Sequence, residues 1–131
     1  MRSREQAELL LRKAAQDEFA ITKLAPDPAS SDEIVGFHAQ QAVEKTLKAV
    51  LAWREIPYRL THDLAELIDL ARDGGIEVPE ELEEVRWLTR YATVFRYEAL
   101  PAEPERPFDR HWAAQCVLRT RAWAESIIHH S

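Results

Sequence analysis

Three polar side chains carry the first chemical signal in this chain. His38, Gln41 and Lys45 are spaced i, i+3 and i+7, so on a helix they stack one above another. An imidazole, an amide and an ammonium in one line suit phosphates and base edges. Asp17 lies within an apolar stripe of the preceding segment, between Ala14 and Ile21. A carboxylate there is costly to bury unless something pairs with it. Arg96 borders an apolar face much later in the chain. Asp17, His38, Gln41, Lys45 and Arg96 therefore form a candidate ligand-binding cluster. In this reading Asp17 pairs with Arg96 or His38, and Lys45 keeps its charge in water beside a groove. The alternative is that the five groups satisfy one another and lock the fold.

The elements that must position them read as helices. Residues 4–24 place Ala7, Leu10, Ala14, Ile21 and Leu24 on one face. Pro26 and Pro28 break that helix. Ser30 and Glu33 have capping-box spacing for a second helix running to about Trp53. On it Val35, Ala39, Ala42, Val43, Thr46, Ala49, Val50 and Trp53 share a broad arc. Glu44 reads as part of a solvated edge. Thr61 is the expected N-cap of a short third helix, which Gly74 and Gly75 end. Pro79 suits the first position of a fourth helix, with Leu82, Val85, Leu88, Ala92 and Phe95 inward. Trp87, Tyr91 and Val94 form a second stripe nearly opposite, which predicts a homodimer surface. Three prolines between Leu100 and Pro107 predict a loop. A last helix starts near Phe108 or Asp109 and turns Trp112, Ala113, Cys116, Val117, Thr120, Trp123, Ala124 and Ile127 inward. No stretch alternates as a strand does. The predicted fold is all-α: an antiparallel up-and-down helical bundle of four long helices and one short one, in a single domain over residues 1–131.

Composition narrows the function. The 131 residues carry 31% charged and 46% hydrophobic side chains, an ordinary globular balance. No run approaches the ~18 apolar residues of a membrane span. The N-terminus lacks an apolar signal segment. Cys116 is the one cysteine, so no intrachain disulfide can form, and a cytoplasmic location is expected. A net charge of −6 opposes broad phosphate-led binding to nucleic acid. Three glycines leave no phosphate-cradling loop. No Cys/His spacing suits zinc, and neither a metal nor another cofactor is expected.

Phe37-His38-Ala39-Gln40-Gln41-Ala42-Val43-Glu44-Lys45, then Thr61-His62-Asp63-Leu64 and Arg96-Tyr97, resemble the HEPN family, the higher eukaryotes and prokaryotes nucleotide-binding domain. The likeness runs roughly from Arg4 to Ile128. It implies the same helical bundle. It also implies nucleotide or RNA binding, frequent homodimers and pairing with a small nucleotidyltransferase in a toxin–antitoxin-like system. Many members are metal-independent ribonucleases with an Arg and a His four to six residues apart near the final helix. Arg106 and His111 match that spacing as a catalytic pair. There His111 would move the 2′-hydroxyl proton and Arg106 would stabilise the phosphorane. Pro107 and Phe108 depart from the small polar residue usual after that Arg. A third reading is an interaction protein with no ligand.

Overall fold

The computed structural model describes residues 2–92 and 108–129. Four α-helices and one 3-10 helix follow in order: α1 (Arg2–Leu24), α2 (Asp32–Trp53), α3 (Leu64–Asp73), the 3-10 helix (Glu80–Tyr91) and α4 (Arg110–Ile128). No strand occurs among the described residues. The fold is all-α, as the periodicity implies.

Helix α2 is the centre. It packs against every other described helix, most extensively against α1. Buried alanines on both helices, Ala7 and Ala14 on α1 and Ala39, Ala42 and Ala49 on α2, leave little bulk between the two backbones. The Arg4 guanidinium lies 4.5 Å over the Trp53 ring, while Asp17 meets His38 and Lys45. These contacts make α1 and α2 antiparallel. The rest of the core is larger. Leu47, Leu51, Leu64, Leu67, Ile68, Leu82 and Leu88 are fully buried, each contributing about 1.5–3 kcal/mol.

Arg110 fastens the start of α4 to the turn between α1 and α2. Its Nε donates to Asp32 Oδ1 at 2.8 Å. Its Nη1 donates to Ala25 O, Asp27 O and Ser30 Oγ, and its Nη2 to Ser30 O at 2.6 Å. A guanidinium suits this place, because the carbonyls at a helix C-terminus carry partial negative charge. Further along, Arg121 pairs with Glu18 at 3.3 Å, so α4 runs antiparallel to α1.

The region expected as a fourth α-helix is the 3-10 helix instead. Leu82, Val85, Leu88 and Tyr91 are spaced strictly by three. That spacing lines up one edge of a three-residue turn. Tyr91 therefore follows Leu88 inward and does not share a stripe with Trp87. Its ring packs 5.0 Å from that of Phe108, and a Cβ on Gly36 would come within 2.6 Å of it. Glycine at 36 is thus what lets this helix end against α2. Trp87 stays 56% exposed. Val94 lies outside the described residues.

Helix ends shift by one or two positions from the sequence reading. Ser31, not Ser30, caps α2 by accepting from Ile34 N. Ser30 instead donates its hydroxyl to Leu24 O and Asp27 O. Asp63, not Thr61, caps α3 by accepting from Ala65 N, while Thr61 Oγ1 accepts from Asp63 N. Pro79 is the N-cap of the 3-10 helix rather than its first residue. After α2 the chain turns through Glu55 at φ 58°, and Ile56 N donates back to Leu51 O at 2.8 Å. That is a left-handed helix stop made without glycine. It sends the chain into the segment that carries Tyr58 and His62 across the outer side of α2.

Candidate functional site

Both stretches that carry the sequence signal meet on α2, and buried carboxylates join them. Asp17 is 8% exposed. The His38 Nδ1–H donates to its Oδ1 at 2.9 Å, and Lys45 Nζ donates to its Oδ2 at 2.6 Å. A carboxylate only accepts, so Nδ1 carries a proton, and in the neutral ring the Nε2 lone pair points away. The expected partner His38 is confirmed by geometry. Lys45 is the correction: its ammonium is not held in water beside a groove but closes on Asp17. Two turns of helix bring His38 and Lys45 to the same side, where α1 presents Asp17 at its own seam.

Glu44 repeats the arrangement on the other flank of α2. It is 4% exposed, which corrects the reading of a solvated edge. The His62 Nδ1–H donates to Oε1 at 2.8 Å, and Lys48 Nζ donates to Oε2 at 2.8 Å. Gln40 Nε2 donates to Oε1 at 2.8 Å and to the His62 carbonyl at 3.2 Å. Gln41 Nε2 then donates to Gln40 Oε1 at 2.7 Å. Burial pushes the Glu44 carboxyl up. The hydrogen bonds from Lys48, Gln40 and His62, with the Lys48 charge, outweigh that and hold it below its ordinary 4.5. Lys48 also lies 5.9 Å from the Tyr58 ring. The segment around Thr61-His62-Asp63-Leu64 is thereby pinned to α2 by side chain and backbone at once. Its far side is held by the Thr89 hydroxyl, which accepts from Leu64 N at 3.1 Å.

Each site residue has a definite place. Asp17, His38 and Lys45 are brought together at the seam of α1 and α2, while Gln41 joins the Glu44 group instead, through Gln40. His111 is not among them. It is exposed in the first turn of α4, where Asp109 Oδ1 accepts its backbone N–H at 2.9 Å. Arg96 and Arg106 lie outside the described residues, as does any pairing they make. Glu44, Gln40, Lys48 and His62 are the residues that the cluster reading missed. The available signal was the order of the two motifs: a helix with Gln-x3-Glu followed by a His at the next helix start.

Two outcomes check this site. Asp17→Ala should lower stability by about 3 kcal/mol, the lower end for breaking a buried charge pair. His38 and Lys45, each 24% exposed in side chain, can recover some water contact. Urea denaturation at neutral pH measures it, and an unchanged midpoint contradicts the pairing. Acid should act through Glu44. Its folded pKa is depressed, so its contribution is complete above the unfolded value of about 4.5 and is lost as pH falls from there through the folded value. Glu44→Gln should flatten that part of the stability–pH curve. An acid limb as steep as the wild type's counts against the assignment.

Comparison with curated proteins finds no match, and comparison with solved structures finds none. The family model for the HEPN domain matches residues 7–129. That family is helical, its modules bind nucleotides or RNA or resemble ribonucleases, and its members often dimerise. With nearly the whole length matched, the chain belongs to the HEPN domain family.

Proposed function

We propose that this chain is a nucleotide- or RNA-binding module, acting as a homodimer in the cytoplasm beside a small nucleotidyltransferase in a toxin–antitoxin pair. The observation that carries the binding reading is the outer side of α2. From Glu33 to Trp53 no residue of this helix is exposed, yet its outward line holds His38, Gln41, Lys45 and Lys48, partly open to solvent. Two buried carboxylates fix their orientation. Side chains held so firmly at a surface form a pre-organised recognition edge. The net charge of −6 favours recognition led by the base rather than by phosphate. Membership in the HEPN family supports the ligand class. The 56% exposure of Trp87 supports a dimer surface on the 3-10 helix. No described helix is long and apolar enough to cross a membrane.

A ribonuclease that uses Arg106 and His111 is the second reading. The exposed imidazole of His111 favours it, because α4 is riveted at that turn by Arg110 and so presents His111 at a fixed point. Arg110 itself is occupied by its carbonyl and carboxylate partners.

Calorimetric titration of the purified chain with mononucleotides and short RNA tests the binding role. Saturable heat with a stoichiometry of one per chain is expected; no heat with either class contradicts it. Induced expression separates the readings. Normal growth is expected from a binding module, whereas growth arrest relieved by His111→Ala would favour the ribonuclease.

A further inference from the structure

The donor chain that starts at Glu44 fixes one group that nothing else among the described residues uses. Glu44 accepts only, so Gln40 must turn its amide nitrogen toward Glu44 Oε1 and the His62 carbonyl. Gln40 Oε1 is then left facing Gln41, and Gln41 must donate to it through Nε2 at 2.7 Å. This settles which way the Gln41 amide points. Its Oε1 and its second N–H have no hydrogen-bond partner among the described residues. His38 precedes Gln41 by one turn, about 5–6 Å between Cβ atoms. With its Nδ1–H taken by Asp17, the neutral ring has Nε2 as its acceptor. The two cations beside them, Lys45 and Lys48, are already paired with Asp17 and Glu44. The uncharged groups that remain at the surface are two acceptors and one donor, and each flanking ammonium has its charge matched by a carboxylate.

A neutral ring with an amine next to a ring nitrogen complements that set. We propose that the His38–Gln41 edge is a nucleobase subsite that reads an exocyclic amine. Gln41 Oε1 accepts one amine hydrogen, the second Gln41 N–H donates to the adjacent ring nitrogen, and His38 Nε2 accepts the other amine hydrogen. This is the bidentate pairing that a carboxamide makes with adenine, extended by an imidazole. Adenine and cytosine carry the required pattern. Hypoxanthine and uracil carry a carbonyl in the amine's place and a single ring N–H, which cannot serve both acceptors. One acceptor is then left facing a carbonyl oxygen. The subsite rests on the nucleotide- or RNA-binding reading and names what that reading leaves open.

The test uses matched ligands that differ at the amine, so it stands whether or not a variant folds. AMP is titrated against IMP and CMP against UMP, on the full chain, by calorimetry. Each amine-bearing member should bind about tenfold tighter than its carbonyl partner. Gln41→Met, with an unchanged melting curve, should bring AMP and CMP down to the level of IMP and UMP. Hexamers of A and of U repeat the comparison: a preference seen with hexamers alone makes an RNA base the ligand, and one seen with mononucleotides makes it a free nucleotide. If all four nucleotides bind equally, or the preference survives Gln41→Met, the subsite is overturned while the binding role stands. If no nucleotide and no hexamer binds, both fall together.

Discussion

Two carboxylates on opposite flanks of α2 hold this fold in register, and each is satisfied in the same way. Asp17 and Glu44 both take a histidine Nδ1–H on one oxygen and a lysine ammonium on the other. A buried carboxylate without such partners costs several kcal/mol. Side chains brought from elsewhere in the chain therefore have one place to go. Asp17 fixes how far α1 slides along α2. Glu44 fixes where the segment leading into α3 crosses it. The apolar core supplies most of the stabilisation but would tolerate neighbouring registers, because alanine faces resemble one another when shifted. The carboxylates do not tolerate them.

The same pairing decides what the surface of α2 can recognise. Lys45 looks like a phosphate-binding cation in the sequence, yet it and its neighbour Lys48 are each paired with a carboxylate. The groups left over are the lone pair of His38 and the amide of Gln41. An edge of this kind reads hydrogen-bond patterns rather than charge, in keeping with an acidic chain of net charge −6. The HEPN domain match over residues 7–129 places the chain in a family of nucleotide- and RNA-related modules. His111 stands apart on α4, so base recognition and any strand-cleaving chemistry would occupy separate surfaces.

Much of this was legible in the sequence, for reasons that differ by residue. The helices were legible because their apolar positions recur at helical spacing. The pairing of Asp17 with His38 was legible because a carboxylate between Ala14 and Ile21 has to find a donor. Glu44 was not, since a Glu-Lys pair on a helix usually faces water, and the segment that covers it lies some 18 residues further on. The 3-10 helix was misread as α because Leu82, Val85 and Leu88 fit both periods. Tyr91 held the distinguishing signal, as it continues the count of three and so turns inward onto Gly36. Cap positions slipped because adjacent residues, Ser30 and Ser31 or Thr61 and Asp63, can each cap, and only the path of the incoming chain chooses between them.

Each carboxylate holds its histidine by Nδ1 and leaves Nε2 outward. Nitrogen-15 spectroscopy of the imidazole rings, recorded in the full chain at a pH where they are neutral, measures this directly. The expected spectrum shows His38 and His62 as the Nδ1–H tautomer, and Asp17→Asn or Glu44→Gln alters the ring it touches and not the other. Spectra in which either ring is the Nε2–H tautomer, or in which neither ring responds to loss of its carboxylate, would contradict the account.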